Sequence, residues 1–381
     1  MDSNPAGREI RRCALVALVL ALLAGMAGCG EGSESINNPG SGTGDPGSPV
    51  ARFAYVLNAS GGTITGFSTG ANGALTVIAG SPFIAPPDAS GMAVTGNTIW
   101  VSGDVLNPSI TAFQIEADGH LRLIGSTPTS NPGGRGLHTT GTALYQFTSA
   151  GTIEGFRINS DSTLTAAPGL PLDVGPIDSI ALTPNGRFLF AALETVSGPV
   201  IETFAINTDA SLTPVGVPTG TGAPAPSGIG RRLEATTLFA DPQNRFVFAA
   251  SAVDGSLRTF AIGSDGTLAP VGAAVLVPSQ PFSMASDGNT LYVGSFDSTN
   301  LYSLSIQPSG QLTLIGTFTN AMAPAYSMTL DADGLLYVAN NDPGSVSVWT
   351  TTGGQLQQVP GSPFITNEMT GNNPSWIVFS R

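Results

Sequence analysis

Residues 374–379 read Pro374-Ser375-Trp376-Ile377-Val378-Phe379. The run is short, apolar and rich in aromatic and β-branched side chains, which suits a strand packed on both faces. It matches strands earlier in the chain, such as Pro281-Phe282-Ser283-Met284-Ala285, each of which opens a further unit, yet no unit follows it. At the other end of the patterned region, Arg52-Phe53-Ala54-Tyr55-Val56 begins a unit directly at its aromatic strand, with no such strand before it. A spare strand at one end and a missing one at the other predict a ring in which the last strand completes the first unit. Closure also removes the two free sheet edges at the seam. A linear solenoid would call instead for polar caps.

The units between these ends are regular. Their aromatic strands centre on Tyr55, Trp100, Tyr145, Phe190, Phe248, Tyr292 and Tyr337, with gaps of 45, 45, 45, 58, 44 and 45 residues. A second strand with period-2 alternation follows each, as in Thr63-Ile64-Thr65-Gly66-Phe67 and Ser345-Val346-Ser347-Val348-Trp349. Then comes a tight turn and a Leu: Asn72-Gly73-Ala74-Leu75, Asp118-Gly119-His120-Leu121, Asp265-Gly266-Thr267-Leu268 and Ser309-Gly310-Gln311-Leu312. Asn-Gly and Asp-Gly supply the positive φ that a hairpin turn needs. Four short strands per roughly 40–50 residues is the pattern of a propeller blade. The expectation is an all-β, seven-bladed β-propeller with four-stranded blades over residues 51–381, closed by the C-terminal strand in blade 1. The 58-residue gap marks an insertion, Pro218 to Gly230, rich in Pro and Gly.

The first 50 residues read differently. Arg8, Arg11 and Arg12 precede an apolar run from Cys13 to Ala24, too short for a membrane span and suited to a signal sequence. It ends in Met26-Ala27-Gly28-Cys29, which resembles a lipobox, so residues 1–28 are expected to be a lipoprotein signal peptide and Cys29 the lipidated residue. Residues 29–50 read as a flexible Gly/Ser/Pro tether. The expected location is the cell envelope, on the periplasmic face of an outer membrane or the cell surface, with the membrane reached through the N-terminal lipid.

Composition narrows the chemistry. All 13 basic residues are Arg, which excludes a Schiff-base lysine, a Walker lysine and a Ser–Lys pair. A net charge of −13 argues against a nucleic-acid partner. There are two His: His120 in a hairpin turn and His138 in the inner-strand region of the third unit. No His or Cys stands at metal-ligand spacing, and Asp331-Ala332-Asp333-Gly334 aligns with plain turns elsewhere, so neither a metal nor a cofactor is predicted. The charged residues placed to meet a ligand are Arg135, His138, Glu194, Arg231, Arg232 and Glu234. Guanidinium groups can hold a carboxylate in bidentate fashion, and a Glu–His pair can move a proton. Rim charges that merely keep a Gly-rich surface solvated would look the same.

The repeats resemble those of the seven-bladed propeller lactonases, relatives of 6-phosphogluconolactonase and of the YVTN-repeat surface proteins. The resemblance spans residues 51–381 and is carried by Tyr55-Val56-Leu57-Asn58, Tyr337-Val338-Ala339-Asn340, the Gly-x-Leu turns, Gly80-Ser81-Pro82-Phe83 and Gly361-Ser362-Pro363-Phe364. It implies the propeller fold and, in members that act on lactones, a site of Arg, His and Glu near the channel mouth. Two functions stay open: a binding or scaffold module for a small anionic ligand or a protein partner, and a lactonase or related lyase acting on a small carboxylated ligand.

Overall fold

The structure is a computed structural model and describes residues 52–103, 106–130, 134–148, 151–225, 235–320, 325–340, 344–366 and 374–380. The predicted signal peptide, Cys29 and the tether lie outside the described residues, as do Arg231, Arg232 and Glu234. Among the described residues the regular structure is all strand, arranged as seven antiparallel sheets.

The innermost strands are Pro374–Phe379 in blade 1, Gly91–Thr95 in blade 2, Gly134–Thr139 in blade 3 and Ile177–Leu182 in blade 4. Thr236–Ala240, Pro281–Ser286 and Ala325–Leu330 are those of blades 5, 6 and 7. Each packs against the next, and the circuit closes from blade 7 to blade 1 to blade 2. The predicted seam is therefore present. The last strand pairs with Phe53–Asn58 in the register Ala54↔Phe379, Tyr55↔Val378, Val56↔Ile377, Leu57↔Trp376. The Phe53 N–H donates to Ser380 Oγ (3.1 Å), and the Ser380 N–H donates to the Phe53 carbonyl (2.9 Å).

The second strand of each blade carries the aromatic residue read from the sequence, and Phe53–Asn58, Ala143–Thr148, Phe188–Leu193, Phe246–Ser251 and Leu335–Asn340 are buried along their whole length. Neighbouring blades cover both faces of these strands, so they are apolar continuously rather than at every other residue. The outer strands meet water, and Leu212–Gly220 and Leu268–Leu276 are half-buried to exposed along their whole length. Leu212–Gly220 includes Pro218 to Gly220, so the blade 4 to blade 5 connection begins at Thr221. In blades 1, 3 and 7 the outer strand is broken at Pro82, Pro171 and Pro363 into two short pieces. A proline there removes a donor and blunts an exposed edge.

Two sequence motifs acquire physical reasons. In Tyr337-Val338-Ala339-Asn340, the buried Asn340 amide donates to Ser345 Oγ (3.1 Å) and Ser347 Oγ (2.9 Å) of the following strand and accepts from Asn320 (2.6 Å). Asn58 does the same with Thr63 and Thr65. The Asn thus fastens the hairpin between the second and third strands. In the Asp-Gly turns the glycine has positive φ and also lies against the preceding blade. A Cβ on Gly266 would fall 2.5 Å from the Phe188 ring, and one on Gly119 2.7 Å from the Phe53 ring.

Candidate ligand site at the channel mouth

The inner strands of blades 1, 3, 4, 6 and 7 share a feature absent from the sequence pattern. Each carries a β-bulge near its start, where one extra residue opposes the second strand. The extra residues are Ser375, Gly136, Asp178, Phe282 and Tyr326. A bulge bends the strand and re-aims side chains. Here all five bulge residues line one cavity of about 660 Å³ at the end of the channel where the inner strands begin. That size falls within the range of small-molecule sites.

Blade 3 supplies the basic groups. Gly136, with φ +53°, permits the bulge, and a Cβ on it would lie 3.0 Å from His138 Nε2 and 3.0 Å from the Phe147 ring. Glycine therefore lets Arg135 and His138 both reach the cavity wall. The His138 ring packs edge-on against Trp376 of the closing strand, with centroids 6.1 Å apart and planes at 89°. Trp376 reaches it across the start of blade 2, where its indole N–H donates to the Ser90 carbonyl (3.0 Å). Gly91 lets the inner strands of blades 2 and 3 approach closely, since a Cβ there would lie 2.7 Å from the Leu137 nitrogen. Burial in this setting disfavours the imidazolium and lowers the His138 pKa to about 4. His138 is therefore neutral at pH 7.

Blade 4 contributes Asp178, buried, whose carboxylate accepts the Thr236 N–H of blade 5 (3.0 Å). Serines near the starts of the inner strands stitch neighbouring blades together. Ser179 Oγ donates to the Thr236 carbonyl (2.8 Å) and accepts from the Leu238 N–H (2.9 Å). Ser283 Oγ donates to the Ala325 carbonyl (2.9 Å), and Ser90 Oγ to the Gly134 carbonyl. Across the channel, Phe282 and Tyr326 of blades 6 and 7 stand with Phe296 in a three-ring group.

Of the residues singled out from the sequence, Arg135 and His138 line the cavity. Glu194 follows strand Phe188–Leu193 and bonds through its backbone N–H to the Pro176 carbonyl (3.0 Å), beside the start of the blade 4 inner strand but not among the cavity residues. Arg231, Arg232 and Glu234 lie outside the described residues. Sequence reasoning missed Asp178, Phe282, Tyr326 and Trp376. The signal that could have found them is position: each lies second or third in an inner strand. Asp331, set aside as a turn residue, accepts from the Asp333 and Leu335 N–H groups and from the Tyr337 hydroxyl. Among the described residues no cluster of three or more His, Cys, Asp or Glu could hold a metal ion.

Fold and mouth together define a β-propeller with a cavity of about 660 Å³ at one end of its channel. The family model described as "Lactonase, 7-bladed beta-propeller" matches residues 269–376. The match covers less than half of the chain, and over that stretch the chain is similar to this family. Among solved structures, a candidate 6-phosphogluconolactonase from Bacteroides uniformis superposes with a TM-score of 0.71 at 17% identity, covering 87% of this chain and 99% of that one. A periplasmic gluconolactonase from Pseudomonas aeruginosa gives 0.65 at 17% identity, covering 87% and 99%. At such identities the likeness is one of fold. No curated protein matches the chain in sequence.

Proposed function

We propose that the chain is an extracytoplasmic binding propeller, held to a membrane by lipid on Cys29, that takes a small carboxylated ligand at the channel mouth. The observation that carries this is the convergence of bulged inner strands on one cavity with Arg135 in its wall. A guanidinium in the wall of a concave site is suited to a carboxylate, and such charge-assisted bonds are worth about 1.5–3 kcal/mol. Calorimetry with D-gluconate and simple carboxylates tests it. Arg135→Gln is expected to weaken binding about 10- to 100-fold, with a cooperative melting transition retained. If the wild type binds no carboxylate, the proposal fails and a scaffold for a protein partner replaces it. Lipidation has its own test: the detergent-phase protein should carry a diacylated Cys29 by mass spectrometry, and Cys29→Ala should release it into the soluble fraction.

A second reading, lactone hydrolysis, is favoured by the neutral imidazole of His138 in the same cavity as Arg135. In that reading His138 takes a proton from a water as its oxygen bonds to the lactone carbonyl carbon, and Arg135 faces the developing oxyanion. The ring C–O bond then breaks, and the proton passes to the departing alkoxide to give a hydroxy acid. With the imidazole titrating near 4, the rate is expected to stay level from pH 5 to 8, once the spontaneous hydrolysis is subtracted. His138→Gln should abolish it.

A further inference from the structure

The cavity has two unlike walls. Arg135 and His138 come from blade 3. In a closed ring of seven, blade 3 is three blades from blade 6 and three from blade 7, so the boundary between those two lies opposite it. That boundary carries Phe282, Phe296 and Tyr326, with ring centroids 5.4, 5.2 and 6.2 Å apart and planes tilted by 53–55°. Phe282 and Tyr326 are bulge residues facing the cavity. Phe296 follows strand Thr290–Ser295, is anchored by its N–H to the Gln280 carbonyl (2.9 Å), and remains 41% exposed. Phe296 is not itself among the cavity-lining residues; it packs against the two that are and extends their aromatic face toward water, where tilted aromatic contacts contribute about 0.5–1.5 kcal/mol each.

Three of the hydroxyls that line the cavity point the same way. Ser90, Ser179 and Ser283 each donate to a carbonyl of the next blade. Their protons are committed to holding the ring together, which leaves them poor partners for a ligand covered in hydroxyls. We infer that the channel mouth selects a planar aromatic acid, of the benzoate or cinnamate class, with its carboxylate at Arg135 and its ring on the Phe282–Phe296–Tyr326 face. This rests on the reading that the mouth binds carboxylates.

The test compares trans-cinnamate with D-gluconate by calorimetry on the wild type, Phe296→Ala and Tyr326→Ser. Cinnamate is expected to bind about tenfold or more tightly than gluconate. Phe296→Ala should weaken cinnamate about five- to tenfold, the loss of one ring contact. The same change should leave gluconate affinity and the melting temperature within error, because Phe296 is half in solvent. Gluconate binding as well as cinnamate, or cinnamate affinity indifferent to both variants, overturns the aromatic-acid inference while the carboxylate reading stands. Failure of both probes to bind overturns the carboxylate reading and this inference with it.

Discussion

Gly266 combines two demands that no other residue meets. Its φ is +91°, and a Cβ would lie 2.5 Å from the Phe188 ring of the neighbouring blade. Gly266→Ala adds a left-handed backbone penalty to an overpacked contact, so a loss of about 2–4 kcal/mol is expected in denaturant unfolding. Ala210 stands at the corresponding turn in blade 4 with φ +67°, and its carbonyl accepts the Tyr145 hydroxyl (2.9 Å), so a side chain is tolerated where the neighbour leaves room. His138 sets a pH dependence. Its folded pKa of about 4 lies below the unfolded value near 6.5, so the unfolded chain binds the extra proton between those limits. Stability is therefore lost as pH falls from about 6.5 to about 4, by up to ~3 kcal/mol from this group. Because exposed carboxylates such as Asp161 and Asp265 also titrate at the acid end, the measurement is a difference. Wild type should lose more stability over that window than His138→Gln, and parallel curves would show that His138 is not desolvated.

At the scale of the strand, the bulge is the device that turns a repeat into a site. The extra residue is glycine in blade 3, aspartate in blade 4 and aromatic in blades 6 and 7. The same register shift thus gives the channel a different chemistry on each side. Next to the bulge, Ser283 links blade 6 to blade 7 through its bond to the Ala325 carbonyl. Ser283→Ala leaves that buried carbonyl short of a donor and is expected to cost about 1–2 kcal/mol, read as a lower denaturant midpoint with an unchanged slope. No change would mean that another group satisfies Ala325. These features explain what was legible in the sequence. Aromatic strands and Asp-Gly turns announce themselves because burial and positive φ restrict residue type locally. A bulge depends on the register of the paired strand, which lies elsewhere in the chain, so the only sign that Asp178, Phe282 and Tyr326 gave was their place near the start of an inner strand. Arg135 and His138 were found because charge is scarce in this chain, and charge alone could not tell the wall-lining Arg135 from Glu194, which stands beside the cavity.

At the scale of the whole molecule, the closing strand holds both the ring and the site. Ile377 is buried, Phe379 packs edge-on against Tyr337 of blade 7 with centroids 4.5 Å apart, and Trp376 crosses blade 2 to meet His138 of blade 3. One strand therefore ties together blades 7, 1, 2 and 3. Deleting residues 374–381 removes these side chains and strips the inner pairing from Phe53–Asn58, whose residues are otherwise fully buried. Each large apolar side chain withdrawn from the core costs roughly 1.5–3 kcal/mol, and a typical domain has about 5–15 kcal/mol in total. The truncated protein is expected to lose its cooperative melting transition, and to associate through the newly exposed edge of blade 1, visible in size-exclusion chromatography. The single change Trp376→Ala separates the two roles of the strand. It keeps the pairing and so should preserve a cooperative transition at reduced temperature, yet it frees the His138 ring toward water and should raise the imidazole pKa from about 4 toward its ordinary value, followed by NMR titration. A truncated chain that melts at the wild-type temperature would show that the seam carries none of the fold's stability.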